Sequence, residues 1–260
     1  MSSKESFGRT LGVVVGVCFV CSIIVSGAAI GLREQKQANA LLDKQTNILE
    51  AANLLDKAHG NIPATFDKYV ESKVLDLETN EFTDTFYGTD NPAVYDQYKS
   101  ARKDGIKPAD DFAKLIRRPN KVSVYFVKND AGKIERIVLP INGSGLWNMM
   151  YAFLAVEMDG NTVKSLVYYD HKETPGLGGE VQNPKWKAMW ADKKLYDDKG
   201  NIAIKIVKGG ATNGDVYGVD ALSGATLTSR GVEKSLHYWL GENGYGPFLA
   251  KVRKGGLNNG

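Results

Sequence analysis

Three short segments combine closely spaced glycines with hydroxyl, carboxyl or aromatic side chains. They are residues 142–147, residues 171–179 and residues 220–229. Glycine has no side chain and therefore lets the backbone approach a bound molecule closely. This mixture of residue types is typical of ligand-binding loops, and the three segments are the candidate sites for chemistry in this chain.

The segment 220–229 is the most informative of the three because it leads into a predicted amphipathic helix at 228–240. Its hydroxyl-bearing residues are Ser223, Thr226, Thr228 and Ser229. A helix N-terminus presents unpaired backbone amides and the positive end of the helix dipole, and both stabilise a phosphate. Serine and threonine are also common as ordinary helix caps. The residues alone leave both interpretations open.

The segment 171–179 follows a predicted strand and reads His-Lys-Glu-Thr-Pro-Gly-Leu-Gly-Gly. Such a loop can place backbone amides and the Thr174 hydroxyl against a flat, hydrogen-bonding ring. The alternative is a glycine-rich connection in which Glu173 is a solvated charge. His171 is a possible general base, but no nucleophile and orienting group accompany it, as a catalytic triad would require.

In the first segment, Leu146 and Trp147 follow Gly143-Ser144-Gly145. The two apolar side chains either belong to the core or cover the apolar face of a ligand. The glycines do not continue into the G-x-x-G spacing of a dinucleotide-binding turn, and no phosphate-binding P-loop is present in the sequence. A dinucleotide bound in the usual manner is therefore not predicted.

Composition excludes further classes of function. The net charge is +3 and no block of Lys and Arg occurs, so a nucleic-acid partner is not expected. The three histidines, His59, His171 and His237, are scattered along the chain, which argues against a dedicated metal site. Cys18 and Cys21 lie in an apolar run, where we interpret them as small hydrophobic residues.

That apolar run, residues 11–32, contains no charged side chain. About 20 apolar residues are enough for a helix to cross a bilayer. We predict a retained membrane anchor after a short tail at 1–10. A cleaved signal peptide is the alternative, since Ser26-Gly27-Ala28 offers small residues at a cleavage position. Lys and Arg are nearly balanced on the two sides, so charge does not set the orientation.

The rest of the chain predicts an α+β fold in a single domain, which we place at 33–260 with a helical stalk at its start. Helices are expected at 38–53, 67–74, 182–190 and 228–240, with Pro63 interrupting the first pair. Strands are expected at 121–127, 134–139, 150–158, 162–170 and 202–207. Turns rich in Asp and Gly between them predict two hairpins and hence an antiparallel sheet. Residues 80–118 are polar and predict irregular structure or short helices.

Taken together, the motifs resemble the FMN-binding family of electron-transport subunits. The resemblance rests on a single N-terminal span, G-x-G-L-W at 143–147, H-x-E-T-P-G-L-G at 171–178 and D-x-x-S-G-A-T-x-T-S at 220–229. The family includes the C subunits of the sodium-translocating NADH:quinone oxidoreductases and the G subunits of the related Rnf complexes. The long polar region at 80–118 is more similar to the former.

The resemblance implies that Thr226 carries FMN through a phosphoester, delivered from FAD by a separate flavin transferase. The residues that it implies around the flavin fall into two groups. Those expected at the isoalloxazine ring are Glu173, Thr174, Leu177, Gly178, Trp147 and Leu146. Those expected at the phosphate and ribityl end are Ser223, Gly224 and Ala225. No catalytic residue and no metal ligand of this chain is implied.

By the same resemblance, the chain relays electrons from NADH towards quinone together with other membrane subunits of a sodium-exporting complex. The FMN domain is then expected on the periplasmic side of the inner membrane. Two alternatives remain open from the sequence. One is a subunit of an Rnf complex, and the other is a membrane-tethered module that binds a small molecule without electron transfer.

Overall fold

The structure, a computed structural model, describes residues 7–256. The chain forms two compact units, of which the first ends at Lys44 and the second begins at Gln45. The α-helices of the described residues are α1 Phe7–Gly31, α2 Arg33–Ala51, α3 Ile62–Tyr69, α4 Gln97–Asp104, α5 Pro184–Ala188, α6 Thr226–Leu240 and α7 Gly246–Arg253. The strands are β1 Val70–Asp76, β2 Glu81–Phe82, β3 Lys121–Lys128, β4 Ile134–Ser144, β5 Met149–Glu157, β6 Val163–Asp170, β7 Lys205–Val207 and β8 Gly218–Asp220.

Helix α1 dominates the first unit and buries none of its 25 residues within the protein. It is the one helix of residues 7–256 that is long and apolar enough to cross a membrane, with a mean hydropathy of 2.7. The predicted span at 11–32 coincides with this helix except at Leu32, which lies in the turn before α2. This helix supports anchoring of the chain by a single membrane pass.

The second unit is built on an antiparallel sheet of six strands in the order β2-β1-β3-β4-β5-β6. Successive side chains point to opposite faces of a strand, and each face of the sheet has its own core. On β3, for example, Val124 and Phe126 join one core while Tyr125 and Val127 join the other. The first core includes apolar residues of α6 and α7, and the second includes those of α3 and the end of α2. The predicted α+β class with an antiparallel sheet is confirmed.

The helix predicted at 67–74 is wrong for most of its length, because α3 ends at Tyr69 and β1 begins at Val70. Phe66, Tyr69 and Val70 have helical spacing, but β1 pairs antiparallel with β3 from Val70 onwards. This pairing outweighs the local spacing. Pro63 lies in the first turn of α3, behind the cap that the Asn61 side chain supplies. It therefore begins a helix, whereas we expected it to break the helical pattern ahead of one.

The two hairpins β3–β4 and β5–β6 are confirmed, as are short helical and irregular elements at 80–118. Several elements differ in length or were missed. The strand predicted at 202–207 begins at Lys205, and the helix predicted at 182–190 is reduced to α5. Neither α7 nor the parallel pairing of β7 with β8 was expected. Strands of three residues are too short to show an alternating pattern.

Candidate functional site

The predicted attachment segment forms the N-terminus of α6. Gly224 has a φ of +70°, which turns the chain into the helix. Ala225 occupies the N-cap position and supplies no side-chain cap, and Thr226 is the first helical residue. Amides of the first helical turn lack partners within the helix. The side chain of Thr226 is exposed beside them.

The hydroxyl groups of this segment divide into an outward and an inward pair. Ser223 and Thr226 are exposed, whereas Thr228 and Ser229 are buried, at 1% and 3% exposure. The Thr228 hydroxyl donates to Oε2 of Glu173 at 2.5 Å, and Oγ of Ser229 accepts from the backbone amide of Leu222 at 3.0 Å. The inward pair is therefore structural, and the outward pair is accessible to a ligand or a modifying enzyme.

Glu173 joins the three glycine-rich segments. Its carboxylate is 5% exposed and accepts from the backbone amide of Trp147 at Oε1, at 3.0 Å, as well as from Thr228 at Oε2. A buried carboxylate is costly unless hydrogen bonds satisfy it, and here one donor comes from the loop after β4 and the other from α6. The alternative of a solvated charge is thus wrong for Glu173.

Two glycines allow the three segments to meet around the Glu173 carboxylate, a meeting point that we call the junction. A Cβ on Gly145 would lie 2.5 Å from Oε1 of Glu173, and a Cβ on Gly178 would lie 2.5 Å from Oγ1 of Thr228. Either separation is far shorter than a van der Waals contact. The glycines of the first two segments therefore serve close packing around the buried carboxylate. Gly178 itself is buried.

Exposed apolar side chains lie around this junction. They are Leu146, Trp147, Leu177 and Leu227, each between 45% and 65% exposed. The Trp147 indole donates to Oγ1 of Thr174 at 3.2 Å, which fixes the ring between the first two segments. Leu177 lies against Gly224, where a Cβ would be 3.0 Å from its Cδ2 atom. The interpretation of Leu146 and Trp147 as core is therefore wrong, and an apolar platform borders the attachment segment.

A cleft of about 490 Å³ opens on residues of the same segment. Ser223, Gly224 and Thr226 line one part of it. No sequence motif indicated most of its other lining residues: Ile206, Lys208, Gly209, Gly210, Arg230 and Glu233. They come from α6 and from the β7–β8 region, whose pairing was not predicted. Lys208 and Arg230 bring positive charge to the cleft.

The two acidic residues that line the cleft, Asp220 and Glu233, accept hydrogen bonds from backbone amides. Asp220 accepts from the amide of Ala211 at 2.7 Å, and Glu233 accepts from the amide of Ile206 at 2.9 Å. These bonds tie α6 to β7 and tie β8 to the loop that follows β7. The cleft therefore combines two basic side chains with two carboxylates that already serve the fold, and its formal charges balance.

The histidines and cysteines lie apart from this site or serve its loops. Nδ1 of His171 accepts from the amide of Glu173 at 3.1 Å, and His237 contacts the carbonyl of Ile204. Cys18 and Cys21 are unpaired in α1. Among residues 7–256, no three His, Cys, Asp or Glu side chains form a cluster that could hold a metal ion.

Comparison with known proteins identifies the family. Residues 145–241 match the model of the FMN-binding domain, and this range contains most of the three segments. The chain is 53% identical over 262 residues to the C subunit of the Na(+)-translocating NADH-quinone reductase of Vibrio vulnificus (strain YJ016), covering 99% of this chain and 100% of the relative. It is 49% identical over 264 residues to the protein of the same name from Yersinia pestis, covering 99% of this chain and 97% of the relative.

Solved structures agree with this similarity. The crystal structure of NqrC from Shewanella oneidensis superimposes with a TM-score of 0.76 at 36% identity, over 84% of this chain and 99% of that one. The corresponding protein from Parabacteroides distasonis gives a TM-score of 0.64 at 25% identity, over 83% and 94% of the two chains. The chain therefore belongs to the family of the C subunits of Na(+)-translocating NADH-quinone reductases, components of an oxidoreductase complex that contain an FMN-binding domain.

Proposed function

We propose that the chain relays electrons towards quinone through an FMN group that a phosphoester joins to Thr226. The observation that carries this proposal is the division of the hydroxyl groups at the start of α6. Thr226 is exposed beside the helix N-terminus and the cleft, while Thr228 and Ser229 are buried in hydrogen bonds of the fold. Thr226 is also the threonine that the S-G-A-T motif of the family indicates.

The residues around Thr226 fit a phosphate group. Helix α6 directs unpaired amides and the positive end of its dipole towards this position. Gly224, at positive φ, brings the backbone of the preceding turn close. Ser223 offers a second exposed hydroxyl, and Lys208 and Arg230 add positive charge at the cleft. These groups would offset the negative charge of the phosphoester.

The apolar platform fits one face of a flat aromatic ring. Trp147, Leu146 and Leu177 would shield it from water, and the Thr174 hydroxyl lies among them. Gly178 and Glu173 lie buried beneath this surface and hold the loops in place. When bound, the flavin supplies the electron-transfer chemistry, while the protein sets its position and surroundings.

Attachment requires an enzyme outside this chain. A flavin transferase would supply FAD, whose FMN phosphorus is attacked by Oγ of Thr226. The new Oγ–P bond replaces the bond between the two phosphates, AMP departs, and the hydroxyl proton passes to a base of the transferase. In this step the chain contributes an exposed acceptor hydroxyl and the surrounding positive charge.

The location of the domain is part of the proposal. One membrane span with almost all of the remaining chain following it would place residues 33–260 together on one side of the inner membrane. By analogy with the family, that side is the periplasm, and the partners are the other membrane subunits of the sodium-exporting complex. A covalent link would retain the flavin where free flavin is scarce.

The test is the variant Thr226→Val, produced together with the flavin transferase and exported to the periplasm. Valine keeps the shape of threonine but removes the hydroxyl, so the denatured variant is expected to lose flavin fluorescence entirely while its circular dichroism stays unchanged. Ser223→Ala is the matched control, because it removes the neighbouring exposed hydroxyl, and it should keep the flavin. Fluorescence that persists in denatured Thr226→Val would assign the attachment to another residue.

A further inference from the structure

A closed loop at 105–118 has features that the flavin site does not explain. Its ends are paired by two backbone hydrogen bonds between Ile106 and Arg118, at 3.0 and 2.9 Å. Buried Ala113 and Leu115 hold it to the domain, and the carbonyl of Ala113 accepts from the amide of Ser144 at 2.9 Å. Ser144 ends β4, directly before the loop that carries Trp147. This closed loop therefore lies next to the candidate flavin site.

Ile116 is the most unusual residue of this loop. Its side chain is 73% exposed, although its backbone has a φ of +67°. A β-branched residue in this region of φ is a genuine outlier. The amide of Arg117 bonds to the carbonyl of Leu115 at 2.7 Å, which makes Ile116 the centre of a tight γ-turn, a rare and strained type when φ is positive.

The surrounding residues hold Ile116 in this conformation. The Asp111 carboxylate accepts from the amide of Leu115 at 2.7 Å and from the amide of Ile116 at 2.8 Å. The Arg117 guanidinium donates to the carbonyl of Gly105 at 2.9 Å. Strain persists only where the surroundings impose it, and such positions cluster at functional sites. The fold thus fixes an isoleucine whose side chain lies mostly in solvent.

The loop carries more apolar surface and a positive charge. Ile106 and Phe112 are also exposed, at 45% and 39%. Between residues 102 and 118 the exposed basic side chains are Arg102, Lys103, Lys107, Lys114 and Arg117, and the exposed acidic ones are Asp104 and Asp110. Ile116 is therefore an apolar knob surrounded by basic side chains. Such a surface is complementary to an apolar socket with an acidic rim.

We propose that the closed loop at 105–118 is a docking surface for a neighbouring subunit of the reductase complex, with Ile116 seated in an apolar socket bordered by acidic residues. A shaped protein socket requires a pre-organised side chain, because ordering it beforehand lowers the cost of binding. A lipid surface accepts apolar groups in any conformation and would not require the strained turn. The position beside the flavin site would bring the partner close to the electron carrier, but the docking does not depend on how the flavin is attached.

The first variant to test is Ile116→Gly, which removes the knob and relieves the strain together. Glycine adopts positive φ without penalty, so the thermal midpoint of the full chain in detergent should rise by about 2–4 °C or stay unchanged. In the purified complex, however, the ratio of this chain to the other subunits should fall several-fold after washes of increasing salt. His59→Gly is the matched control, since His59 is also exposed at positive φ, and it should leave that ratio unchanged.

A retained ratio in Ile116→Gly would overturn the proposal, and a lowered thermal midpoint would show that Ile116 serves the fold. A second variant separates a protein partner from lipid. Asp110→Cys, which leaves Ile116 and the basic residues of the loop in place, in a chain whose Cys18 and Cys21 are replaced by Ser, can carry a polarity-sensitive fluorophore. Its emission should shift to the blue in the assembled complex but not when the chain alone is placed in vesicles of anionic lipid. A shift in those vesicles would assign the loop to the membrane surface and overturn the proposal.

Discussion

At the scale of single residues, Glu173 has the largest structural role in the site. Its carboxylate is buried and forms no ion pair with any residue of the described range 7–256. The two hydrogen-bond donors, which come from separate segments, must therefore satisfy it. Hydrogen bonds to a charged acceptor are stronger than those between neutral groups. The positions of Trp147 and of the start of α6 therefore depend on one side chain.

Glu173→Gln tests this role. The amide keeps the shape of the carboxylate but not its charge. Its oxygen can accept from the amide of Trp147 and its NH₂ group can donate to the Thr228 hydroxyl, so two charge-assisted hydrogen bonds become weaker neutral ones. We expect the free energy of unfolding to fall by about 1–3 kcal/mol, measured by urea denaturation. We also expect altered near-ultraviolet circular dichroism, because the hydrogen bond that holds the backbone of Trp147 is weakened.

Glu242→Gln is the control for this change, since Glu242 is exposed. It should alter neither the stability nor the aromatic spectrum. Equal stability of Glu173→Gln and the unmodified chain would show that the carboxylate does not hold the three segments together.

At the scale of elements, the site depends on how closely α6 approaches the end of β4. Gly231, inside α6, faces the backbone of Ser144 and Gly145, and a Cβ on Gly231 would overlap the carbonyl oxygen of Ser144. This contact sets the distance between the helix that carries Thr226 and the strand that leads to Trp147. Both parts of the proposed flavin site are thereby placed by one helix–strand contact.

Gly231→Ala should therefore destabilise the domain, although alanine normally favours a helix over glycine by about 1 kcal/mol. Overpacking at a close contact costs about 1–3 kcal/mol, and we expect a net loss in thermal or urea unfolding. Lys234→Ala, on the exposed part of the same helix, should have little effect. Increased stability of Gly231→Ala would contradict the close approach of α6 to β4.

The elements that could be predicted from sequence were those with a strong local pattern. Alternating apolar residues and Asp/Gly turns predicted β3 to β6 as two hairpins, and the helical period predicted α2 and α6. Strand β1 was missed because its first residues continue the helical spacing of α3. Its pairing with β3 joins residues more than 40 positions apart in the sequence, such as Val70 and Val127. No local pattern contains that information.

The candidate site was predictable to a similar extent. The motifs located all three segments, and the structure brings the segments together, while attachment at Thr226 stays a prediction. The burial of Glu173 could not be read from the sequence, because both of its donors come from distant segments. Lys208 and Arg230 were missed as lining residues because the cleft depends on the short pair β7 and β8.

At the scale of the whole molecule, buried tyrosines make the stability of the folded state decrease at alkaline pH. Burial raises the pKa of Tyr95, Tyr196 and Tyr238 to about 12 each. The pKa of tyrosine in an unfolded chain is about 10. Between these values the folded state binds more protons than the unfolded state, so stability falls as the pH rises. The contribution is fully present below about pH 10 and is lost as the pH rises through about 12.

We therefore expect the urea midpoint of the domain to fall progressively above pH 10. Tyrosinate absorbance should rise together with the loss of structure. Tyr238→Phe is a useful variant, because the Tyr238 hydroxyl is buried without a hydrogen-bond partner among the described residues. It should retain stability at pH 7 and reduce the pH dependence. Full titration of these tyrosines at pH 10 in the folded chain would contradict their burial.

The whole chain combines a helix that is apolar enough to cross a membrane, an FMN-binding domain and a proposed docking loop beside the candidate flavin site. The FMN-binding domain is shown by the family comparison, and the apolar helix α1 supports anchoring by a single membrane pass. The central proposal is that this carrier holds its flavin covalently. It is supported by the exposure of Thr226 and by the family motif that contains it.

The intact mass of the purified chain, produced with and without the flavin transferase, is the decisive measurement for covalent attachment. We expect a gain of one FMN less water only when the transferase is present, and peptide mapping should place the gain on the 223–230 segment. An unmodified mass in the presence of an active transferase, or a gain on a peptide that lacks Thr226, would contradict attachment at this threonine.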